Sequence, residues 1–357
     1  MSALQEFTKK LSKVEADGAI ISSQLNIRYL CGFDYTDGYL VIFPDAAYLL
    51  ADFRYIEAAR KKVRDFEVIM PKSTMLSEIH ALLSKHGAKA VLIEDGSVTL
   101  SEFSKMREAL SDVTLSTGAT ELLSEQRQIK TEYELQAIAR AQAVTDAAFE
   151  HILGFITPER TEIEVALELE FFMRSHGAES VAFDTIAVSG PSSSLPHGVP
   201  SNQKLSRGFL TMDFGARVDG YCSDMTRTVV IGKADGEMKK VYGTVLSAQR
   251  AALEAICEGI SCREADRTAR DVIAAAGYGD CFGHSLGHGV GLYIHEAPSL
   301  SPRAKDDSVL QRGNVVTVEP GIYIEGKYGC RIEDMVAIGH DGKMINFTKS
   351  PKELIEI

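Results

Sequence analysis

The dipeptide Asp219-Gly220, which lies between Asp213 and Asp224 in the sequence, constrains the second half of the chain more than any other feature. Asp-Gly is the strongest short signal for a two-residue hairpin turn. In a hairpin closed by these two residues, Asp213 pairs with Thr226, and Asp224 projects from the same face as Asp213. Such diagonal neighbours have Cβ atoms about 7 Å apart or less. Two carboxylates that close repel each other unless a proton or a cation separates them, and a divalent cation is the usual solution.

Two glutamates further along the chain are candidates for the same site. Glu319 follows the apolar run Val315–Val318, where a carboxylate without a partner is expensive to bury. Glu333 follows after a stretch, Gly326–Gly329, that resembles a hairpin tip. The even separation of the two glutamates fits side chains on one face of a sheet.

The glycine-rich segment Phe282–Gly291 contains His284 and His288 in an H-x-x-x-H spacing, and His295 follows it. On a helix this spacing could bind zinc. Four glycines interrupt the segment and no glutamate follows the first histidine, so a strand or loop that brings the backbone close to a ligand is favoured. Each acid or histidine taken alone is more often structural, and the residues by themselves leave a metal site and a structural role both open.

Composition excludes several classes of protein. The net charge of −12 argues against a nucleic-acid binder and against docking on anionic lipid. The N-terminus lacks the apolar core of a signal peptide, and no apolar run approaches the roughly 20 residues that cross a bilayer. Six scattered cysteines without a C-x-x-C pair indicate reduced thiols, and we expect a cytoplasmic protein.

Residues 1–124 alternate strand-like and helix-like segments, which predicts a smaller N-terminal α/β domain with helices packed on its sheet. The predicted strands and helices alternate along the chain as follows: strands at Gly18–Ile21, Tyr39–Phe43, Ala47–Ala51, Phe66–Met70 and Ala90–Glu94, and helices at Phe53–Val63, Thr74–Lys85 and Leu100–Leu110.

Residues 125–357 are predicted to form an α+β domain. Capping boxes that begin at Thr131 and Thr161 start two helices, Ser261 starts a third, and Lys239–Glu258 forms another. The segments predicted to be strands are Phe209–Phe214, Tyr221–Ile231, Val315–Val318 and Arg331–Ile338. We expect the helices to cover one face of a sheet and to leave the other face available for a site.

The order Asp, Asp, His, Glu, Glu resembles that of the pita-bread metallopeptidases, which include methionine aminopeptidase, aminopeptidase P and prolidase. Motifs of the proline-specific branch occur at Phe183–Gly190, Leu195–Gly198, Asp213–Gly215, Ser223–Thr228, Gly287–Gly291, Val318–Tyr323 and Arg331–Asp334. Asn26–Phe33 looks like part of the extra, creatinase-type N-terminal domain of that branch. The resemblance therefore implies an Xaa-Pro aminopeptidase or Xaa-Pro dipeptidase with a C-terminal pita-bread domain.

The resemblance also implies a ligand set for two divalent metal ions. Asp213 would hold one ion, His288 and Glu319 the other, and Asp224 and Glu333 would bridge both. Carboxylate oxygen and imidazole nitrogen suit Mn²⁺, Co²⁺, Zn²⁺ or Fe²⁺, and ligand type alone does not choose among them. Mn²⁺ is expected from the habit of the family.

The implied reaction uses a hydroxide shared by the two ions, which lower the pKa of a bound water. This hydroxide would attack the carbonyl before proline, and His197 or His295 would help a metal stabilise the negative charge on its oxygen. Glu319 would take the water proton and deliver it to the leaving nitrogen.

Three further residues are implied at the substrate. His284 would line the proline pocket, Tyr323 would contact the site, and Arg331 would pair with a bridging carboxylate. Ser299 stands where dipeptide-restricted prolidases often carry an arginine that binds the carboxylate of the substrate. This departure favours aminopeptidase P-like activity slightly over strict dipeptidase activity.

The alternatives are a methionine aminopeptidase-like enzyme and an inactive pita-bread protein that binds peptides or proteins. The extra domain and Arg331 speak against the first, and inactive members typically lose ligands that are all present here. Small peptides with proline at the second position are the expected substrates, and a homodimer is expected from family habit.

Overall fold

A computed structural model describes residues 2–357. They form two units, the first ending at Arg127 and the second comprising Gln128–Ile357. The expected domain boundary between residues 124 and 125 lies three residues before this division, within a helix, and its position stays a prediction. Among the described residues, no helix combines the length and the apolar character that crossing a membrane requires.

The first unit is built around a sheet of six strands. These strands are β1 (Gly18–Ile21), β2 (Gly38–Ile42), β3 (Ala47–Ala51), β4 (Glu67–Ile69), β5 (Ala90–Ile93) and β6 (Thr114–Ser116). Their order is β4-β3-β2-β1-β5-β6, with β1, β2 and β3 antiparallel and the outer pairs parallel. The helices are α1 (Ala3–Leu11), α2 (Gln24–Cys31), α3 (Ile56–Lys62), α4 (Met75–His86), α5 (Leu100–Ala109) and α6 (Ala119–Gln128).

Both faces of this sheet are buried under helices. Successive side chains of a strand point to opposite faces, so each strand contributes to two cores. Ala19 and Ile21 pack with Phe7 of α1 on one face, whereas Ile20 packs with Leu83 of α4 on the other. The mixed α/β domain expected from the sequence is therefore confirmed. The five predicted strands and three predicted helices are all present, with ends that differ by up to three residues.

The prediction missed three helices and one strand of the first unit: α1, α2, α6 and β6. The start of α1 carries a signal that could have revealed it. Ser2 accepts a hydrogen bond from the Gln5 amide, and the Gln5 side chain accepts one from the Ser2 amide, which is a capping box.

Four helices of the second unit begin near the predicted positions: α7 (Glu132–Phe155), α8 (Glu162–Ser175), α9 (Gly236–Ala255) and α10 (Cys262–Ala275). Thr131 and Thr161 form the predicted capping boxes of α7 and α8, and Ser261 caps α10. The third helix begins three residues before the predicted Lys239, because Asp235 is its N-cap.

The second unit contains thirteen strands, all of whose assigned pairs are antiparallel. They are β7 (Ser180–Val181), β8 (Ile186–Ser189), β9 (Gly208–Phe214), β10 (Ala216–Val218), β11 (Tyr221–Cys222), β12 (Met225–Ile231), β13 (Gly287–Gly289), β14 (Glu296–Leu300), β15 (Val315–Val318), β16 (Gly321–Ile324), β17 (Tyr328–Arg331), β18 (Asp334–Ile338) and β19 (Met344–Asn346). Their sheets have the orders β11-β10-β7, β12-β9-β8, β14-β13-β15-β18-β19 and β16-β17.

Strand β9 shows how the helices leave one sheet face free. Leu210, Met212 and Phe214 point to one side and pack with apolar residues of α7 and α8. Asp213 therefore points to the opposite side, where it lines a cavity. The α+β prediction, with helices on one face and a site on the other, is confirmed.

Two predicted strands are interrupted in the structure. The segment Tyr221–Ile231 breaks at Ser223-Asp224, and Arg331–Ile338 is split between β17 and β18 at Ile332-Glu333. In both cases a candidate ligand carboxylate lies in the break. A residue outside the regular ladder can turn its side chain towards a site, which alternation along an unbroken strand does not allow.

Arg227 links β12 to β18 from a fully buried position. Its guanidinium donates to Asp334 Oδ1 at 2.8 Å and to the carbonyls of Glu333 and Ser350 at 2.5 and 2.9 Å. Burial alone would raise the pKa of Asp334, but Arg227 and Lys352 hold it below its usual value. This pair therefore joins the strands that carry the site carboxylates.

Replacing Arg227 with Met should lower the free energy of unfolding by about 3–5 kcal/mol, because one member of a buried ion pair loses its main partner. Arg140→Met is the matched control, since Arg140 and Asp219 form a pair whose side chains are 46% and 48% exposed. That pair should contribute about 0–1 kcal/mol. Urea denaturation followed by circular dichroism measures both variants, and equal losses would contradict the role given to Arg227.

Candidate metal centre

The hairpin predicted from Asp219-Gly220 is present in the predicted register. Asp219 and Gly220 have φ angles of 51° and 85°, the left-handed conformations of a type I′ turn. Asp213 is paired with Thr226 across β9 and β12. Asp224, two residues before Thr226, therefore lies diagonally across from Asp213, and both carboxylates line the same cavity.

A second hairpin brings the two glutamates opposite each other. The pairs of β15 with β18 and of β16 with β17 share one register, in which Glu319 faces Glu333. Pro320 follows the first glutamate and has no amide hydrogen, so the ladder is interrupted at this level. The hairpin closes at residues 325–327, whereas the predicted tip extended to Gly329, which belongs to β17.

The glycines around His288 allow its strand to lie close to both neighbours. A Cβ atom on Gly287 would lie 2.0 Å from the Thr317 carbonyl oxygen, and one on Gly289 would lie 2.4 Å from that of Ala297. Only glycine fits at such approaches. The predicted Gly-rich strand is therefore correct, and it holds His288 in β13 between β14 and β15.

The imidazole of His288 has one nitrogen available for a metal. Its Nδ1 lies 3.1 Å from the Gly289 carbonyl oxygen and must carry the proton, because a carbonyl only accepts. Nε2 lies 3.5 Å from Asp224 Oδ2 and 3.4 Å from Glu319 Oε1. Burial lowers the pKa of His288 to about 4, so the ring is neutral near pH 7 and its Nε2 lone pair is free.

One cavity of about 620 Å³ collects all the predicted metal ligands. Its lining includes Asp213, Asp224, His288, Glu319 and Glu333. Ligand atoms of Asp224, His288 and Glu333 all lie within 4.8 Å of one another. Asp213 Oδ1 is buried and has no hydrogen-bond partner among the described residues.

The charges of these carboxylates fit a cation site. Burial, followed by the carboxylate of Glu333, raises the pKa of Asp224, and burial together with Glu319 raises that of Glu333. Burial and Asp213 raise the pKa of Glu319 to about 8, against the opposing effect of Arg331. Buried carboxylates that repel one another, beside a neutral imidazole, are relieved by divalent cations, and oxygen with nitrogen donors suits the metals expected from the sequence.

Arg331 contacts the site differently from the expectation. It donates to Asp213 Oδ2 at 2.6 Å, whereas a bridging carboxylate was expected as its partner. Its Nε donates to Thr226 Oγ1 at 2.9 Å, and that hydroxyl donates to Glu333 Oε2 at 2.7 Å. The link from Arg331 to Glu333 thus runs through Thr226. Arg331 itself is buried and lies in the hairpin beside Asp213.

Two threonines to which the sequence analysis gave no role at the site orient the carboxylates. Besides Thr226, Thr317 Oγ1 donates to Glu319 Oε1 at 3.1 Å and accepts from the His288 amide at 3.1 Å. Each threonine is two residues from an aspartate or glutamate of the cavity, the spacing of one strand face. That alternation is the signal that could have identified them.

His284 and Tyr323 form a neutral pair next to Arg331. His284 Nδ1 donates to the Ser285 carbonyl at 2.8 Å, so Nε2 accepts from the Tyr323 hydroxyl at 3.0 Å. That hydroxyl accepts in turn from Arg331 at 2.6 Å. Burial lowers the pKa of His284 to about 4 and raises that of Tyr323 to about 12. His284 lines the cavity, and Tyr323 lies behind it.

His197 and His295 lie at the exposed rim of the cavity. The ring of His295 lies 4.4 Å from that of His288, centroid to centroid, and burial lowers its pKa. Within residues 2–357 neither imidazole makes a hydrogen bond to the protein, so both can donate to a ligand. The buried pair of Lys130 and Glu296, at 3.4 Å, supports the loop that carries His295.

Helices that cover one face of a sheet while carboxylates and a histidine gather on the other define a pita-bread metallopeptidase, the class that the sequence resembles. The family model described as metallopeptidase family M24 matches residues 136–340, more than half of the chain. The model described as the creatinase/prolidase N-terminal domain matches residues 4–129. The chain belongs to metallopeptidase family M24, and the resemblance is confirmed.

Relatives with full-length similarity support this assignment. An uncharacterized peptidase of Bacillus subtilis is 43% identical over 353 residues, 99% of each chain. The structure of an Xaa-Pro dipeptidase from Bacillus anthracis is similar with a TM-score of 0.95, 42% identity and 99% of both chains covered. That of an X-Pro aminopeptidase from Thermotoga maritima gives 0.91 and 36%, covering 98% of this chain and 99% of the other.

Binding of divalent cations to the metal-free protein should release protons near neutral pH. A carboxyl with a raised pKa is protonated below that pKa, and Glu319, with a pKa of about 8, must lose its proton to bind a cation. The apparent affinity for Mn²⁺ should therefore rise with pH up to about pH 8.

Calorimetry in two buffers with different ionisation enthalpies measures this release, and Glu319→Gln should release fewer protons than the native chain. Identical enthalpies in both buffers, with an affinity that does not change between about pH 6 and pH 8, would contradict the electrostatics described here.

Proposed function

We propose that this protein is a metal-dependent exopeptidase that hydrolyses the bond before proline at the N-terminus of short peptides. The observation that carries the proposal is the convergence of four carboxylates and His288 in one cavity. The relatives named as Xaa-Pro dipeptidase and X-Pro aminopeptidase support the choice of bond.

Five side chains would hold two cations, with Mn²⁺ as the first expectation. Asp213 offers Oδ1, which has no protein partner, and His288 offers Nε2. Asp224, Glu319 and Glu333 supply the remaining oxygens, and burial already raises the pKa of each. When bound, the cations lower the pKa of water and polarise the peptide carbonyl.

Glu319 is the proton carrier of the proposed reaction. It lies within 3.4 Å of His288, and Thr317 fixes one of its oxygens. A carboxylate held at this place can accept a proton and return it, as a general base and then a general acid must. We assign it the transfer from the attacking water to the leaving proline nitrogen.

His197 and His295 would donate hydrogen bonds to the carbonyl oxygen as it becomes negative. Both line the cavity at its open side. His284 would contact the proline ring from the cavity wall. Tyr323 is hydrogen-bonded to His284, and Arg331 is hydrogen-bonded to Asp213. We therefore propose that Tyr323 and Arg331 act on the substrate indirectly, by positioning these two residues.

The cavity also suggests which peptide lengths are accepted. Ser299 lies in the cavity lining and is exposed, so no positively charged side chain is present at this position to bind the carboxylate of a dipeptide. Peptides longer than two residues would therefore be accepted, as in aminopeptidase P. The homodimer, the cytoplasmic location and the preference for Mn²⁺ stay predictions from the resemblance.

Metal-stripped enzyme should regain hydrolysis of Xaa-Pro-Yaa tripeptides and Xaa-Pro dipeptides when Mn²⁺ is added. Ser299→Arg should raise the ratio of dipeptide to tripeptide kcat/KM by about tenfold, because a charge-assisted hydrogen bond to the carboxylate of the dipeptide that is worth about 1.4 kcal/mol corresponds to that factor. Ser247→Arg, at an exposed position of α9 outside the cavity lining, is the control. Hydrolysis of Met-Ala peptides instead of Xaa-Pro peptides, or no turnover of either with Mn²⁺, would refute the proposal.

A further inference from the structure

The segment Gly190–Pro200 carries His197 to the rim of the cavity. It begins as a short 3₁₀-helix, Gly190–Ser194, and continues without regular structure. Pro196 to Pro200 all line the cavity. Ser189, at the end of β8, and Ser201 mark the two ends of this segment, which we call the His197 loop.

A single buried carboxylate holds both ends of the His197 loop. Glu162 Oε1 accepts from the Ser189 amide at 2.7 Å and from its hydroxyl at 3.1 Å. Glu162 Oε2 accepts from the Ser201 amide at 3.2 Å and from its hydroxyl at 2.8 Å. The residue is only 2% exposed.

Helix capping does not account for this carboxylate. Glu162 is the first residue of α8, and the capping box of that helix is already formed by Thr161 and Glu164. Within the described residues Glu162 has no ion pair. A buried carboxylate without a cation is expensive unless its oxygens are hydrogen-bonded, and here the two loop ends supply all four donors.

The 3₁₀-turn of the His197 loop also packs against β17 and β9, and the Ile163 amide donates to the Ser201 carbonyl at 3.0 Å. Residues 195–200, which include His197, receive only one hydrogen bond from outside the loop among the described residues. The Gly329 amide donates to Ser193 Oγ at 2.9 Å, and Arg331 donates to the Pro196 carbonyl at 3.3 Å. The imidazole of His197 is exposed and makes no hydrogen bond within residues 2–357. Its place at the rim of the cavity therefore depends on the loop backbone, and Glu162 bonds to both ends of that backbone.

We infer that Glu162 is a positioning residue that clamps the His197 loop and so sets His197 over the scissile carbonyl. This inference rests on the role proposed for His197. Replacement by Gln keeps the size of the side chain but replaces one accepting oxygen by an NH₂ group. That group faces an amide hydrogen of Ser189 or Ser201, so one end of the clamp opens.

Glu162→Gln should lower kcat/KM for an Xaa-Pro tripeptide by about 10- to 100-fold, because small displacements of a group near the reacting atoms have effects of that size. Manganese content per chain should stay unchanged. Hydrogen exchange of the amides in the His197 loop should become faster. Glu164→Gln is the matched control on the same turn of α8, and because glutamine also completes a capping box its kcat/KM should change by less than about twofold.

A double-mutant cycle with His197→Ala tests whether Glu162 acts through His197. The double variant should be about as active as His197→Ala alone, because effects that share one residue are not additive. If the two substitutions lowered kcat/KM by independent factors that multiply, Glu162 would not act through His197. That result, or a Glu162→Gln protein with native exchange and native kcat/KM, would overturn the positioning role of Glu162 but not the proposed role of His197. Native turnover of His197→Ala would overturn the proposed role of His197 and this inference with it.

Ser201→Ala provides a milder test should Glu162→Gln fold poorly. It removes one of the four donors and leaves both backbone donors in place. Its kcat/KM should fall by a smaller factor, in parallel with a smaller increase in exchange of the His197 loop. Native values for both quantities would count against the clamp.

Discussion

Electrostatic repulsion among carboxylates gathered in one buried cavity is the constraint on which the rest of the catalytic unit depends. Burial and mutual repulsion raise the pKa values of Asp224, Glu319 and Glu333, so without cations the ionised forms of these groups are disfavoured. Such a cluster weakens the fold unless something compensates its charge. Divalent cations supply that compensation and, in the same place, the means to activate water, which links the stability of the site to its chemistry.

Antiparallel hairpins and two buried arginines hold these carboxylates in place. Arg227 ties β12 to β18 through Asp334, and Arg331 neutralises Asp213 from inside the second hairpin. Both guanidinium groups bond several partners, which fixes the strands on either side of the cavity. At the rim, the exposed His197 lies in a loop whose two ends are bonded to Glu162, and we propose that these bonds set its position.

Local patterns predicted much of this arrangement. The Asp219-Gly220 turn determined the register that pairs Asp213 with Thr226, and capping boxes located the starts of α7 and α8. Contacts between segments far apart in the chain could not be predicted in the same way. Three features depend on how helices and strands pack together, which periodicity and turn signals do not encode. They are the partner of Arg331, the strand breaks at Asp224 and Glu333, and the hydrogen bonds that Glu162 accepts from Ser189 and Ser201.

Anomalous X-ray diffraction at the manganese absorption edge, from crystals of the protein grown with Mn²⁺, tests the central claim most directly. We expect two adjacent anomalous peaks in the cavity of about 620 Å³. One peak should lie against Asp213 and the other against His288 and Glu319, with Asp224 and Glu333 in contact with both. A single peak, or peaks outside this set of side chains, would contradict the proposed two-metal centre.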